Sequence, residues 1–168
     1  MASFNLVNYS LRPSKGIQRQ LVFEGIRHLQ TQLDLERMIY VGFGSVWFTD
    51  FVMAHKFLGV RDMISIEGSE IGYRRALFNV PFATVAVKHG YSSVILPEMF
   101  ADPSLRDRPW LIWLDYDYDL NEAVRDDLRA VIENAPANSI LLCTVNGLDR
   151  KYGQALERPD RLREILGD

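Results

Sequence analysis

Apolar positions along this chain alternate between helical spacing and short continuous runs. From Ser14, the residues Ile17, Leu21, Val22, Ile26, Leu29 and Leu33 recur at three- and four-residue steps, as on one face of a helix packed on a core. Met38 to Val41 then forms a strand-like run that stops at glycines, and Ser45 to Leu58 predicts the next helix, with Gly59 as its stop. Asp62 to Ile66 reads as a second strand. Ser69 is a natural N-cap for a helix to about Phe78, which Asn79-Val80-Pro81 ends. Ala83 to Val87 predicts a third strand, Ser92 to Met99 a short apolar helical or turn segment, and Ala101 to Pro109 a polar loop. The run Trp110-Leu111-Ile112-Trp113-Leu114 has the character of a strand buried on both faces of a parallel sheet. Asp119 with Glu122 makes a capping-box-like start for the helix carrying Val124, Leu128, Val131 and Ile132, and Ile140 to Thr144 supplies a fifth strand.

Helices that alternate with strands in this way specify parallel pairing, because each crossover needs its own helix. The expected architecture is α/β, a doubly wound and mostly parallel Rossmann-like sheet of about five strands with helices on both faces. Residues 1–168 form one domain in this reading, with 1–13 an irregular lead-in and 148–168 a polar helical tail.

Composition narrows the function classes. The 168 residues are 48% hydrophobic, enough to bury a substantial core, and 24% charged with a net charge of −3. That balance argues against a non-specific nucleic-acid binder, which needs a basic excess. Positive charge is concentrated only at Arg12, Lys15 and Arg19, and this spacing reads as a solvated helix face, with a phosphate or partner site as the alternative. The lone Cys143 lies in an apolar run and is expected in the core, with no disulfide partner in the chain. No run approaches the ~18 apolar residues of a membrane span, and residues 1–30 lack a secretory pattern, so a soluble, cytoplasmic protein is expected.

In such sheets ligands lie outside the carboxyl ends of the strands. Gly42-Phe43-Gly44-Ser45 after the first strand, and Glu67 closing the second, describe a site for an adenosine-bearing cofactor. The glycines allow close backbone approach, the helix N-terminus presents free N–H groups, and the carboxylate can accept two ribose hydroxyls. Glu67 could instead serve only the local N–H groups of the next helix. Trp47, at the last small-residue position of a dinucleotide fingerprint, favours a cofactor without a pyrophosphate. Asp115 follows a buried strand and points to the cleft in this reading, while Asp117 and Asp119 continue an acidic run with Tyr116 and Tyr118 as candidate acceptor-pocket residues. His89 is a candidate base or a surface residue. Asp50, inside an apolar stretch, needs a donor, and Arg74, Arg75 or the basic trio are the candidates.

On Val41-Gly42-Phe43-Gly44-Ser45, Glu67, Val87-Lys88-His89-Gly90-Tyr91-Ser92 and Trp113-Leu114-Asp115, the chain resembles the class I S-adenosylmethionine-dependent methyltransferases, and more loosely their catechol-type O-methyltransferases. The resemblance implies that Gly42, Gly44 and Ser45 lie against the methionine part of S-adenosylmethionine, that Glu67 holds its ribose, and that Gly90 and Ser92 border its adenine. It places Asp115 near the transferred methyl group and a hydroxyl or amine acceptor, on a small molecule or a protein, and Asp117 in the same acidic run is the second catalytic candidate. The metal that catechol-type members hold would need an Asp-Asn pair where this chain has Thr144 and Val145, so no metal ligand is assigned. Tyr40 stands where those proteins carry an acidic residue. The residues after Thr144 are too few for their sixth helix and closing β-hairpin, so the expectation is either a truncated piece or a shortened member whose sheet edge is covered by the tail, by a second copy in a homo-oligomer or by a partner subunit. The competing reading is a non-catalytic nucleotide-binding or assembly subunit; an NAD-dependent enzyme is disfavoured by Trp47.

Overall fold

The computed structural model describes residues 13–148 and 152–167. Five strands form one parallel sheet: β1 (Ile39–Gly42), β2 (Met63–Glu67), β3 (Val85–His89), β4 (Trp110–Asp115) and β5 (Ile140–Thr144), in the order β3-β2-β1-β4-β5. The helices are α1 (Pro13–Arg27), α2 (Thr49–Leu58), α3 (Glu70–Asn79), α4 (Ser92–Ala101), α5 (Glu122–Asn134) and α6 (Arg158–Leu166). This is the expected doubly wound Rossmann-like sheet. None of the described helices is long and apolar enough to cross a membrane.

Period-two alternation divides the core into two layers. Tyr40, Leu111 and Trp113 face Phe23 and Ile26 of α1 and Phe51 of α2, whereas Ile39, Val41, Trp110, Ile112 and Leu114 face α4 and α5. Phe23 is fully buried between Tyr40 and Trp113, at ring-centre distances of 6.3 and 5.7 Å. Burying such a ring stabilises the docking of α1 by about 1.5–3 kcal/mol.

Several expected boundaries shift. The first helix ends at Arg27 and passes into a 3-10 turn over His28–Thr31. The second begins at Thr49 instead of Ser45, because Ser45 and Phe48 take left-handed backbone conformations (φ 53° and 48°) and hold residues 45–48 in a turn. The third strand starts two residues late, at Val85. Helix α5 is capped by Asn121, whose Oδ1 accepts the Val124 N–H at 3.1 Å, and not by Asp119. Cys143 is exposed on β5, a strand bordered by β4 alone among the described residues, so the expected core position is corrected.

Strand order reverses between β1 and β4, since the chain runs outward from β1 to β3 and then returns to place β4 on the other flank. The crevice of a doubly wound sheet opens at that reversal, outside the carboxyl ends. Gly42 pairs in register with Trp113, which sets the glycine turn and Asp115 side by side on the crevice rim.

Candidate functional site

The glycine turn is built as tightly from inside as from the crevice. A side chain at Gly42 would meet the Trp113 carbonyl at 3.0 Å; one at Gly44 would meet the Phe48 ring at 2.6 Å and Ser65 Oγ at 2.7 Å. The Gly44 N–H donates to Ser65 Oγ (3.1 Å), and the Phe48 N–H donates to the Gly44 carbonyl (2.8 Å). Glycine at these positions is thus required by β4 and by the buried Phe48, whatever else approaches. Trp47 lies in the turn ahead of α2 and is 50% exposed, so helix–strand packing places no demand on its size.

Glu67 bends toward the start of α3. Its Oε1 accepts the Ser69 N–H at 3.0 Å, and its carboxyl group fills the space beside Gly72 that a side chain there would need. Oε2 receives no hydrogen bond from the described residues. Partial burial raises the Glu67 pKa, opposed by the Ser69 N–H and by His89. Of the two sequence readings of Glu67, the local one is met by Oε1, which serves the start of α3.

At the next strand end, Gly90 adopts φ +151°, a conformation suited to glycine, and its N–H donates to the Glu67 carbonyl at 3.0 Å. Ser92 begins α4 and gives its hydroxyl hydrogen to Asp127 of α5 at 2.5 Å. Asp127 is 5% exposed and also accepts from the Tyr116 hydroxyl at 2.7 Å. The Tyr116 ring meets Phe43 of the glycine turn edge-on at 5.2 Å. Tyr116 is thus turned into the protein and does not line an acceptor pocket, and burial together with Asp127 keeps its hydroxyl protonated.

Asp115 sits at the carboxyl end of β4, where two cations from α1 converge. Lys15 Nζ lies 3.6 Å from Oδ1, and Arg19 Nη2 lies 3.4 Å from Oδ2. The solvated face expected for the basic trio is therefore corrected for these two residues; Arg12 lies outside the described residues. Beneath them, Tyr40 donates to Asp50 Oδ2 at 2.6 Å inside the core. Burial raises the Asp50 pKa, and the Tyr40 hydroxyl and the nearby Arg19 charge hold it down in part. The donor of Asp50 is thus Tyr40 with Arg19 in range, and neither Arg74 nor Arg75.

Asp117 is exposed. His89 lies on the far edge of the sheet with two strands between it and Asp115; it stacks on Tyr73 at 5.0 Å and faces Glu70 at 3.4 Å, as a structural residue does. A divalent cation beside Asp115 does not fit the side chains present. Both Asp115 oxygens face cations, Thr144 Oγ1 accepts from the Trp113 indole at 2.9 Å, Val145 is apolar, and Asn146 Oδ1 takes the Leu148 N–H. Hard cations need several convergent oxygens, and no such group occurs among the described residues.

Residues 7–168 match the family described as "Putative O-methyltransferase". The chain belongs to that family. No curated protein sequence matches this O-methyltransferase-family chain. Among solved structures, it is similar to an O-methyltransferase from Bacillus cereus in complex with SAH, with a TM-score of 0.62 and 16% identity, covering 95% of this chain and 70% of that one. It is also similar to galactitol-1-phosphate dehydrogenase from Escherichia coli, with a TM-score of 0.50, 15% identity, and coverage of 89% and 40%. At these identities the two structures speak for a shared fold. Family membership separates the O-methyltransferase reading from the dehydrogenase one.

Sequence reasoning singled out Lys15 and Arg19 without their partner Asp115, and missed Asp127. Lys15 and Arg19 share a helix face, a visible signal, but their partner lies 96 residues beyond Arg19. Asp127 carried a weaker signal: a carboxylate between Val124 and Leu128 and Val131, on the apolar face of α5.

Proposed function

We propose that this O-methyltransferase-family chain binds S-adenosylmethionine along the rim formed by the β1, β2 and β3 ends and methylates a hydroxyl group presented at Asp115. The observation that carries this reading is the half-buried Glu67 carboxylate with one oxygen uncommitted, beside a glycine turn at the strand-order reversal. Glu67 and Asp115 stand two strands apart, roughly 10 Å, which leaves room for a nucleoside between them.

Glu67 Oε2 accepts ribose hydroxyls. Gly42, Gly44 and Ser45 border the methionine part, and Gly90 with the start of α4 at Ser92 borders the base. Because the Ser92 hydroxyl hydrogen is given to Asp127, Ser92 offers a ligand its lone pair and backbone N–H instead. S-adenosylmethionine, when bound, would supply an electrophilic methyl carbon to the acceptor oxygen, with sulfur keeping the electron pair of the broken carbon–sulfur bond and the hydroxyl proton released to solvent. Asp115 orients the acceptor, since displacement needs in-line alignment above all. Asp117, exposed two residues after Asp115, is kept as an outer acceptor contact. A small-molecule acceptor, a cytoplasmic location and a second subunit on the exposed β5 edge complete the proposal. Sedimentation at increasing concentration tests the last, and a strictly monomeric chain removes it.

Calorimetric titration with S-adenosylmethionine, S-adenosylhomocysteine and NAD tests the cofactor. The sulfonium and its thioether product should bind, and Glu67→Ala should weaken both by about 10- to 100-fold, as for a lost hydrogen bond to a charged group. Affinity should also fall as the pH drops through the raised Glu67 pKa, because only the carboxylate accepts both hydroxyls. Folded protein that binds neither compound is a nucleotide-free assembly subunit, and the proposal is then wrong.

A further inference from the structure

The electrostatics around Asp115 are unbalanced. Two cations, Lys15 and Arg19, converge on one carboxylate, and neither has another ion-pair or hydrogen-bond partner among the described residues. Their distances of 3.6 and 3.4 Å exceed the 2.7–2.9 Å of close charge-assisted pairs, so most of their donors remain unspent. The Arg19 side chain is only 12% exposed, held by α1 against the sheet, and a guanidinium has five N–H donors to satisfy. The other titratable groups facing this point are Asp50 of α2, Tyr40 of β1 and Cys143 of β5. Asp50 already takes the Tyr40 hydroxyl, so its charge is shared inside the core.

We infer that Lys15 and Arg19 form an oxyanion subsite for the methyl acceptor, and that the acceptor is a readily ionised hydroxyl of the phenolic or enolic class. This rests on the methyl-transfer reading above. When such a hydroxyl enters beside Lys15 and Arg19, its O–H bond breaks and the proton leaves to solvent water, while the negative charge on the acceptor oxygen stays within reach of the two cations. The electrostatic work that a divalent cation performs on a hydroxyl is supplied here by side chains on α1, consistent with a donor set that does not suit a metal. An aliphatic alcohol, far harder to ionise, gains too little from this pair to be a good acceptor.

The test uses 4-nitrophenol, whose ionisation is read by absorbance, bound to the full chain saturated with S-adenosylhomocysteine in EDTA. The ionisation midpoint of the bound phenol should lie about 1–3 pH units below its value in buffer, the range expected for opposite charges within a few ångströms. Lys15→Gln and Arg19→Gln should each return part of that shift, and Arg19→Lys should retain it. Melting curves confirm that each variant is folded; should Arg19→Gln fail to fold, Lys15→Gln and Arg19→Lys carry the comparison. A midpoint equal to that in buffer, a shift that needs added magnesium, or a shift indifferent to both glutamine variants overturns the inference and leaves the cofactor reading standing. Failure of S-adenosylhomocysteine to bind brings down both.

Discussion

Tyr40 gives its hydroxyl hydrogen to Asp50 in the core, where neither group reaches water. Tyr40→Phe leaves a buried carboxylate without its donor and should cost about 1–3 kcal/mol of stability in denaturant melts. Asp50→Asn keeps an acceptor there and removes the buried charge. The sign follows from burial: the folded-state pKa of Asp50 is raised, so its contribution favours the fold below the unfolded pKa and is lost as pH rises through the folded value. Melting temperatures of Asp50→Asn should accordingly fall less than those of the unaltered chain as pH rises across the acid range. Equal slopes would show that Asp50 contributes nothing to the pH dependence. At this scale the sequence marked Gly42, Gly44, Glu67 and Asp115, because each stands where an apolar run stops. It could not show that Glu67 turns toward the start of α3, or that Lys15 and Arg19 meet Asp115, since helix spacing reveals a shared face and not what lies opposite it.

Helices and strands were legible where one period dominated. Five strands and the helices between them follow from apolar spacing, and their boundaries moved where backbone conformation overrode it. Phe48 belongs by composition to the apolar run of α2, yet it turns left-handed and packs beneath Gly44, so the helix starts at Thr49. At α5, two polar residues competed for the same cap, and the acidic pattern favoured Asp119 while geometry chose Asn121. Asn121→Ala should therefore lower stability by about 1 kcal/mol, measured as a shift in the urea midpoint at constant slope. No change on that substitution would mean that the Val124 N–H finds another acceptor.

Across the whole molecule, the alternation of elements carried the doubly wound class, because parallel strands need crossovers. The burial of β5 was less legible: its run is as apolar as a central strand, but among the described residues it has a sheet neighbour on one side only, and Cys143 is left exposed. Asp127 links parts that the chain order keeps apart. One carboxylate receives both the first residue of α4 and the residue leaving β4, and through Tyr116 it steadies Phe43 in the glycine turn. The start of α4 and the glycine turn thus share a single pin, and they should loosen together. In Asp127→Ala, deuterium uptake should rise in concert at the amides around Ser92 and around Tyr116; if only one stretch responds, the two ends of the crevice breathe independently.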